Sequence, residues 1–486
     1  MANYYITTTL PYVNAKPHVG FALEIIRADM LARYHRMIGD EVIFNTGTDE
    51  HGQKIHDNAK EAGVSTQEFV DTNAQTFVDL QEPLNLSVTN FIRTTNPDHK
   101  KAAQEFWKRC YDNGDIYKKE YAVKYCVGCE LEKTDSELVN GQCPLHPGRE
   151  IEFKEEENYF FRFSKYQQAL LELYQENPNF VYPQSRMKEI TSFVERGLQD
   201  FSISRLKEKM PWGVPVPHDK DHVMYVWFDA LVNYISTLGW PDDSYRAFWP
   251  GTQIAGKDNL RQQSAMWQAM LLSAGLPPSK QIIINGFLTV DGQKMSKSLD
   301  NVVDPLEVVE QYGADALRYY LLRHVSTTDD GDFSWQRFER AYNGELANDL
   351  GNLVQRLSAM ILRYQDGIIG DMQQSEHDEG LYHEAVQNFK FDQAIEIGWN
   401  LISGVNQYLE ETKPWEISKE VNSKDHLQQV LASAVNSLLQ AVRLLEPALP
   451  DTAAKVKAVF NSGVVQRLDQ PLFPKKYLYT PEPSRN

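Results

Sequence analysis

The sequence predicts an α/β fold: a parallel-sheet domain, interrupted by an insertion and followed by an all-α helical bundle. Three observations lead there. Short β-prone runs alternate with helix-period segments at both ends of the first 300 residues. The stretch between them breaks that alternation and holds three of the four cysteines. Beyond residue 300 the apolar residues fall at helical spacing. A chain of 486 residues exceeds one compact core, so roughly two to four domains are expected.

The first β-prone run is "NYYITTTL". A Pro- and Gly-bearing turn follows, after which Ile26, Met30, Tyr34 and Met37 recur at helical spacing. "DEVIFNTGTDEHG" is a short apolar run that ends abruptly in polar and charged residues, the pattern of a buried parallel strand whose C-terminal end opens on a crevice. From about 115 to 220 come the clustered cysteines, Gly/Pro turns and aromatic segments such as "NYFFRF". Alternation returns in "HVMYVWFDALVNYIST", "TQIAGKDN" and "QIIINGFLTV". The two flanks therefore read as one Rossmann-like domain split by an insertion. "DPLEVVEQYG" has Asp304 as N-cap, Pro305 at the first helical position, Glu307 in the first turn and Gly313 as its stop. Leu346, Leu350, Leu353, Leu357 and Ile361 form one apolar stripe, and Leu427, Leu431, Ala434, Leu438, Val442 and Leu445 another. The expected divisions are 1–114 and 221–300 for the two Rossmann-like halves, 115–220 for the insertion, 301–344 for a region of helices following the second half and 345–486 for the helical domain.

Composition is that of a soluble globular protein, 42% hydrophobic and 24% charged. The N-terminus lacks the basic-then-apolar order of a signal peptide, and no apolar run approaches membrane-spanning length. Four cysteines, three of them clustered, argue against a disulfide framework and for a reducing cytoplasm. A formal net charge of -18 argues against non-specific coating of nucleic acid but leaves room for a local basic groove.

"CVGCELEKTDSELVNGQCPLH" spaces Cys126 from Cys129, and Cys143 from His146, by two residues each. Three thiolates and an imidazole on two such knuckles suit a closed tetrahedral Zn2+ site, and a full shell makes that zinc structural. The alternative is four unrelated loop residues. Cys110 stands alone and reads as a buried apolar residue.

Two segments are candidates for holding an anion. In "LPYVNAKPHVGFALE" a strand ends, Pro17, His18, Val19 and Gly20 turn, and a helix begins near Gly20. A helix start offers unpaired N–H groups and a positive dipole end; equally, His18 could simply cap or pack. In "FLTVDGQKMSKSLDN" Lys294 and Lys297 sit in a Gly- and Ser-bearing loop, which read alone is an ordinary solvated turn. Together they resemble the signatures of the class I aminoacyl-tRNA synthetases, a His-Ile-Gly-His-like turn and Lys-Met-Ser-Lys-Ser. Lys294 through Ser298 match the second at every position. His18 and Gly20 match the first, with Phe21 where the family usually has a second His. The resemblance narrows to the methionyl-tRNA synthetases: "NTGTDEHGQKI", "YVWFDALVNYIS", "IAGKDN", "KMSKSLDNVVDP", "GADALRYYLLR", "LANDLGNLVQR" and "KPW" occur in that family's order. The insertion, about 100 residues, has the size of one small domain and not that of the larger editing insertion of the branched-aliphatic relatives.

That resemblance implies a ligase that forms methionyl-adenylate from L-methionine and Mg2+-bound ATP, then esterifies tRNA(Met). It assigns Leu10, Tyr12, Trp227, Ala230, Leu231 and Tyr234 to the methionine pocket and Asp49 to the substrate ammonium. Read without it, the aromatic residues are core packing and Asp49 a helix cap. An aromatic slot suits a thioether through sulfur–ring contacts. Gln263 stands where the family usually has a His, keeping donor and acceptor but unable to titrate. Lys294, Lys297, Ser298, His18 and Gly20 are implied at the phosphates and Asp258 at the ribose. Asn352, Arg356 and Trp415 are implied at the anticodon; otherwise they are an exposed polar face and a packing Trp. A monomer is expected, since a dimerising barrel found in some members does not follow the bundle. Two rivals stay open: a non-catalytic synthetase-like tRNA-binding protein, motivated by Phe21 and Gln263, and a tRNA-independent nucleotidyltransferase.

Overall fold

The structure, a computed structural model, describes residues 2–14, 16–129, 131–133, 138–295, 301–372, 378–460 and 462–477. They pack as two units. One comprises Met1–Pro17, Asp40–Asp79 and Val88–Asn285, the other His18–Gly39, Leu80–Ser87 and Gly286–Asn486.

The first unit is built on strands β1 (Asn3–Thr8), β2 (Glu41–Thr48), β3 (Asn90–Arg93), β4 (Ile116–Cys126), β5 (Leu131–Glu132), β6 (Glu152–Phe161), β7 (Val181–Tyr182), β8 (Phe201–Ser202), β9 (Ser204–Leu206), β10 (His222–Met224), β11 (Thr252–Gly256) and β12 (Gln281–Asn285). Six of them form one parallel sheet in the order β3-β2-β1-β11-β12-β7. Ile6 of β1 pairs with Phe44 on one side and Thr252 on the other. The continuous apolar runs are explained by burial: Tyr4, Tyr5 and Ile6, and Ile282, Ile283 and Ile284, are all in the core. The chain moves outward from β1 in one direction and from β11 in the other. The carboxyl ends of β1 and β11 therefore form the switch point where such sheets open a crevice.

The stretch 115–220 is not packed wholly apart. β5, β4, β6 and β8 make an antiparallel sheet in that order, with a long ladder from Ile116↔Phe161 to Tyr125↔Glu152. Beyond it, β7 joins the parallel sheet beside β12 (Ile283↔Tyr182). Leu170, Tyr174, Met187, Ile190 and Val194 share a core with Tyr5, Ile282 and Trp267. A two-residue strand carries no periodicity, so composition does not mark it.

The second unit contains the helix Val19–Met37, a three-stranded sheet β14-β13-β15 made of β13 (Leu288–Val290), β14 (Gln293–Lys294) and β15 (Gly331–Phe333), and a set of helices. β15 corrects the purely helical reading beyond residue 300; three residues are too few to leave a pattern. Asp304 caps its helix as expected, its carboxylate accepting from Leu306 N at 2.8 Å, and Gly313 ends it at φ +88. Both leucine stripes are buried in full, each such Leu contributing about 2 kcal/mol. A π-helical turn, Tyr342–Gly351, runs directly into the helix Asn352–Gln365. Asp29 and Arg318, both fully buried, pair at 2.7 Å. No helix among the described residues is long and apolar enough to cross a membrane.

Candidate active site

In the first unit the chain beyond β1 and β2 keeps pairing. Asp49 N donates to Pro11 O at 3.0 Å and Val13 N to Asp49 O at 3.3 Å, and Tyr12 and Asp49 form a parallel bridge. This sets Leu10, Tyr12 and Asp49 side by side at the sheet's carboxyl edge. The helix Val226–Leu231 supplies Trp227, Ala230 and Leu231, and the next turn, Asn233–Ser236, supplies Tyr234. The rings of Tyr12 and Trp227 meet edge to face at 6.3 Å, an attractive arrangement of aromatic quadrupoles. Tyr234 is fixed at both ends: its carbonyl accepts from Tyr5 Oη at 2.9 Å and its hydroxyl from Gln263 Nε2 at 2.6 Å. Gln263 lies in a π-helical turn, Gln262–Met266, of the kind enriched at functional sites. Trp227 Nε1 and Gln263 Oε1 are buried with no hydrogen-bond partner among the described residues, polar atoms a ligand can satisfy. Asp258 is exposed in the turn after β11, its carboxylate folded back to within 2.8 Å of where a Gly256 Cβ would stand.

Two anchors of this cluster are not singled out in the sequence. Glu50 is buried, and Arg93 grips it through Nε at 2.6 Å and Nη2 at 2.9 Å, with Thr48 Oγ1 donating at 2.6 Å. His51 Nδ1 meets Asp229 Oδ2 at 2.5 Å, tying the segment of Asp49 to the helix of Trp227. Their signal was the dense polar run "TDEHG" at a strand's end. Cys110, fully buried, has its thiol pushed up to about 12 by burial, consistent with an inert core residue.

In the second unit, His18 caps the helix Val19–Met37. Its Nδ1 accepts from Gly20 N at 3.1 Å, so in the neutral ring Nε2 carries the proton. Burial pulls the imidazole below its usual range. A Cβ on Gly20 would stand 2.8 Å from His18 Cε1, so the glycine is what lets the ring fold over the helix start. The lysine segment meets this turn from both sides. Met295 Cε is 3.3 Å from that same Cβ position, and Val19 N donates to Val303 O at 3.1 Å. Asn301 Nδ2 donates to Lys294 O at 3.2 Å, closing the base of the segment. Lys294 is exposed on β14; Lys297 and Ser298 lie outside the described residues.

Cys126, Cys129, Cys143 and His146 come together as read, their donor atoms all within 4.8 Å of one another. Cys129 Sγ is 3.3 Å from Cys143 Sγ and 3.2 Å from His146 Nδ1, which is 3.9 Å from the other two sulfurs. A tetrahedral ion with bonds of about 2.0–2.3 Å needs donor edges of roughly 3.3–3.8 Å, so the cluster fits a closed metal centre. A Cβ on Gly128 would strike His146 Cδ2 at 2.5 Å; only glycine admits the imidazole. In the helical part, Arg356 donates to Glu410 Oε1 at 2.5 Å and Asn406 Oδ1 at 3.2 Å, Asn352 to Asn348 Oδ1 at 3.0 Å. Trp415 is half-buried in the short turn Pro414–Ile417, after Lys413 at φ +46.

A family model described as tRNA synthetases class I (M) matches residues 4–151 and 145–358. A methionine--tRNA ligase of Thermosynechococcus vestitus is 43% identical over 474 residues, spanning 93% of this chain and 89% of that protein. The Thermotoga maritima enzyme of the same name is 42% identical over 471 residues, spanning 93% and 74%. The methionyl-tRNA synthetase of Mycobacterium tuberculosis, solved in complex with methionyl-adenylate, superposes with a TM-score of 0.91 at 36% identity, covering 98% of this chain and 100% of that one.

Proposed function

The chain belongs to the class I tRNA synthetases, among the methionine--tRNA ligases, and from that membership we propose how its residues divide the work. It activates methionine with ATP, releasing pyrophosphate, and charges tRNA with the methionyl group. The observation that carries the residue assignments is the meeting of the lysine segment with the His18 turn, through Met295 on one side and Val303 on the other.

The methionine side chain enters the slot of Leu10, Tyr12, Trp227, Ala230, Leu231 and Tyr234, with Gln263 at its polar end. Asp49 pairs with the ammonium and leaves the carboxylate as nucleophile toward the α-phosphorus. His18, through Nε2–H, and the helix start at Gly20 hold the phosphates; Asp258 takes the ribose hydroxyls. Lys294 and Lys297, with Ser298, neutralise charge on the departing pyrophosphate. Such groups act by positioning reactants and stabilising charge that develops in the transition state. Mg2+ accompanies ATP and offsets phosphate charge. The Cys3His cluster holds Zn2+ in a structural role, since four protein donors leave no open position. Asn352, Arg356 and Trp415 read the anticodon of tRNA(Met) by amide edges and stacking planes. The domain divisions at 114, 220, 300 and 344 belong to the same reading.

Methionine-dependent exchange of labelled pyrophosphate into ATP tests it. Exchange in the absence of tRNA is expected; a chain that binds tRNA(Met) but shows no exchange would be the non-catalytic relative instead.

A further inference from the structure

The hairpin that delivers Lys294 is very small. β13 and β14 share two residue pairs, Thr289↔Lys294 and Val290↔Gln293. Asp291 and Gly292 form its turn with φ +48 and +75, the two positive values a type I′ turn requires. An isolated two-stranded hairpin is marginal at best, and β14 is exposed. The hairpin's order has to come from the strand on its other side.

That strand is β15, parallel to β13, with Thr289 opposite Asp332. Lys294, Thr289 and Asp332 thus form one row across three strands. Asp332 Oδ1 accepts from Thr289 Oγ1 at 2.7 Å and from the turn amide Gly292 N at 2.7 Å. One carboxylate oxygen therefore holds both the partner residue of Lys294 and the turn that sets its direction. Bonds to an ionised acceptor are stronger than neutral ones. Asp332 Oδ2 has Arg337 Nη1 at 3.9 Å. The strand itself is seated by close backbone packing: Asp329 O is 2.2 Å from where a Gly286 Cβ would stand. Asp330 Oδ1 accepts from Phe287 N at 2.9 Å, and Gly331 N donates to Phe287 O at 2.8 Å.

We propose that Asp332 is a positioning residue for methionine activation: it latches the turn and middle strand of the hairpin so that Lys294 is presented in register with the departing pyrophosphate. This rests on the reading of Lys294 as a pyrophosphate ligand. Asp332 touches no reactant and acts through Thr289 and Gly292. The second half-reaction, acyl transfer to tRNA, releases no pyrophosphate and does not depend on the latch.

The test separates the half-reactions in single-turnover kinetics. Asp332→Ala is expected to slow formation of methionyl-adenylate about tenfold, with the KM for methionine within about twofold of wild type, and transfer from preformed adenylate to tRNA unchanged. Asp332→Asn keeps an acceptor oxygen and should restore adenylation to within about twofold. Thr289→Val, isosteric and lacking one of the two donors, should fall between them. A latch-independent structural role would instead slow both half-reactions together or lower the thermal midpoint of Asp332→Ala and Asp332→Asn alike, and either result overturns the proposal. Unchanged adenylation in Asp332→Ala, with Lys294→Ala slowed, removes the latch alone; unchanged adenylation in Lys294→Ala removes the reading of the lysine on which it rests.

Discussion

At the residue scale, His18 caps a helix and, on the proposed reading, holds a phosphate with the same ring. Its Nδ1 caps the helix through Gly20 N, and that bond selects the tautomer with its proton on Nε2. Protonation would give Nδ1 a hydrogen and break the cap. Because burial lowers the folded-state pKa below the usual value of 6.5, the unfolded chain takes up the proton first. Stability from this group is therefore intact above about 6.5 and declines as pH falls through that value toward the lower folded pKa. Pyrophosphate exchange by the folded enzyme should stay level from pH 8 down through 6.5 and fall only as pH approaches the lowered folded-state pKa; His18→Asn, which can cap but not titrate, should lose that acid limb while retaining the fold. A flat profile in the wild type would detach His18 from the phosphates. Lys297→Ala should lower the maximal adenylation rate by on the order of a hundredfold, with methionine affinity nearly unchanged, because its charge is needed mainly in the transition state. Exchange kinetics measure both. The residues to which chemistry is assigned were picked out by the spacing of their motifs. Their supports were not: Glu50 with Arg93, and His51 with Asp229, pair across 43 and 178 positions, and no local pattern records such distances.

At the element scale, legibility follows length. The long helices announced themselves, since Leu427 to Leu445 is a stripe repeated over a helix of 22 residues. The capped helix after Asp304 was readable from its ends alone. β7 and β15, two and three residues long, were not, although both decide how neighbouring strands are held. Short strands gain their stability from the partner they pair with, and so leave little trace in their own composition. The Cys3His cluster is the opposite case: short, yet its four donors were picked out in the sequence and do come together, because ligand chemistry restricts residue type more sharply than packing does. Its glycine carries a prediction. Gly128→Ala places a methyl group 2.5 Å from His146 Cδ2, so the imidazole must withdraw and the donor set loses its geometry. Zinc affinity should drop by roughly ten- to a hundredfold, read as faster release to a chelator. Methionine-dependent exchange should persist while the site is kept loaded, since a closed shell contributes structure and not chemistry. Zinc retention equal to wild type would mean that His146 is not a ligand.

On the scale of the whole molecule, the chain order and the packing order differ. The second unit takes residues 18–39 and 80–87 from the stretch that the sequence reads as the first Rossmann-like half. The ion pair of Asp29 with Arg318 shows why: two fully buried charges 289 positions apart each need the other, because an uncompensated buried charge costs several kcal/mol. Burial alone would raise the carboxyl of Asp29, but the guanidiniums of Arg318 and Arg33 and the Ser87 hydrogen bonds outweigh it and hold it below the usual range. The net charge of -18 bears on the larger partner. A polyanion approaching such a protein is repelled overall, so tRNA binding has to rest on local contacts. In the helical segment Arg356 is oriented by Glu410 and Asn406, which limits its rotamers; on the proposed reading of the anticodon, that favours stacking of one splayed nucleotide over diffuse attraction. Recognition of this kind should be sharp in sequence. Replacing the CAU anticodon of tRNA(Met) is expected to abolish methionylation of that tRNA, while pyrophosphate exchange, which needs no tRNA, continues at its full rate in the same mixture. Charging of the altered tRNA at the wild-type rate would mean that Asn352, Arg356 and Trp415 are surface and packing residues, and that selection lies elsewhere on the chain.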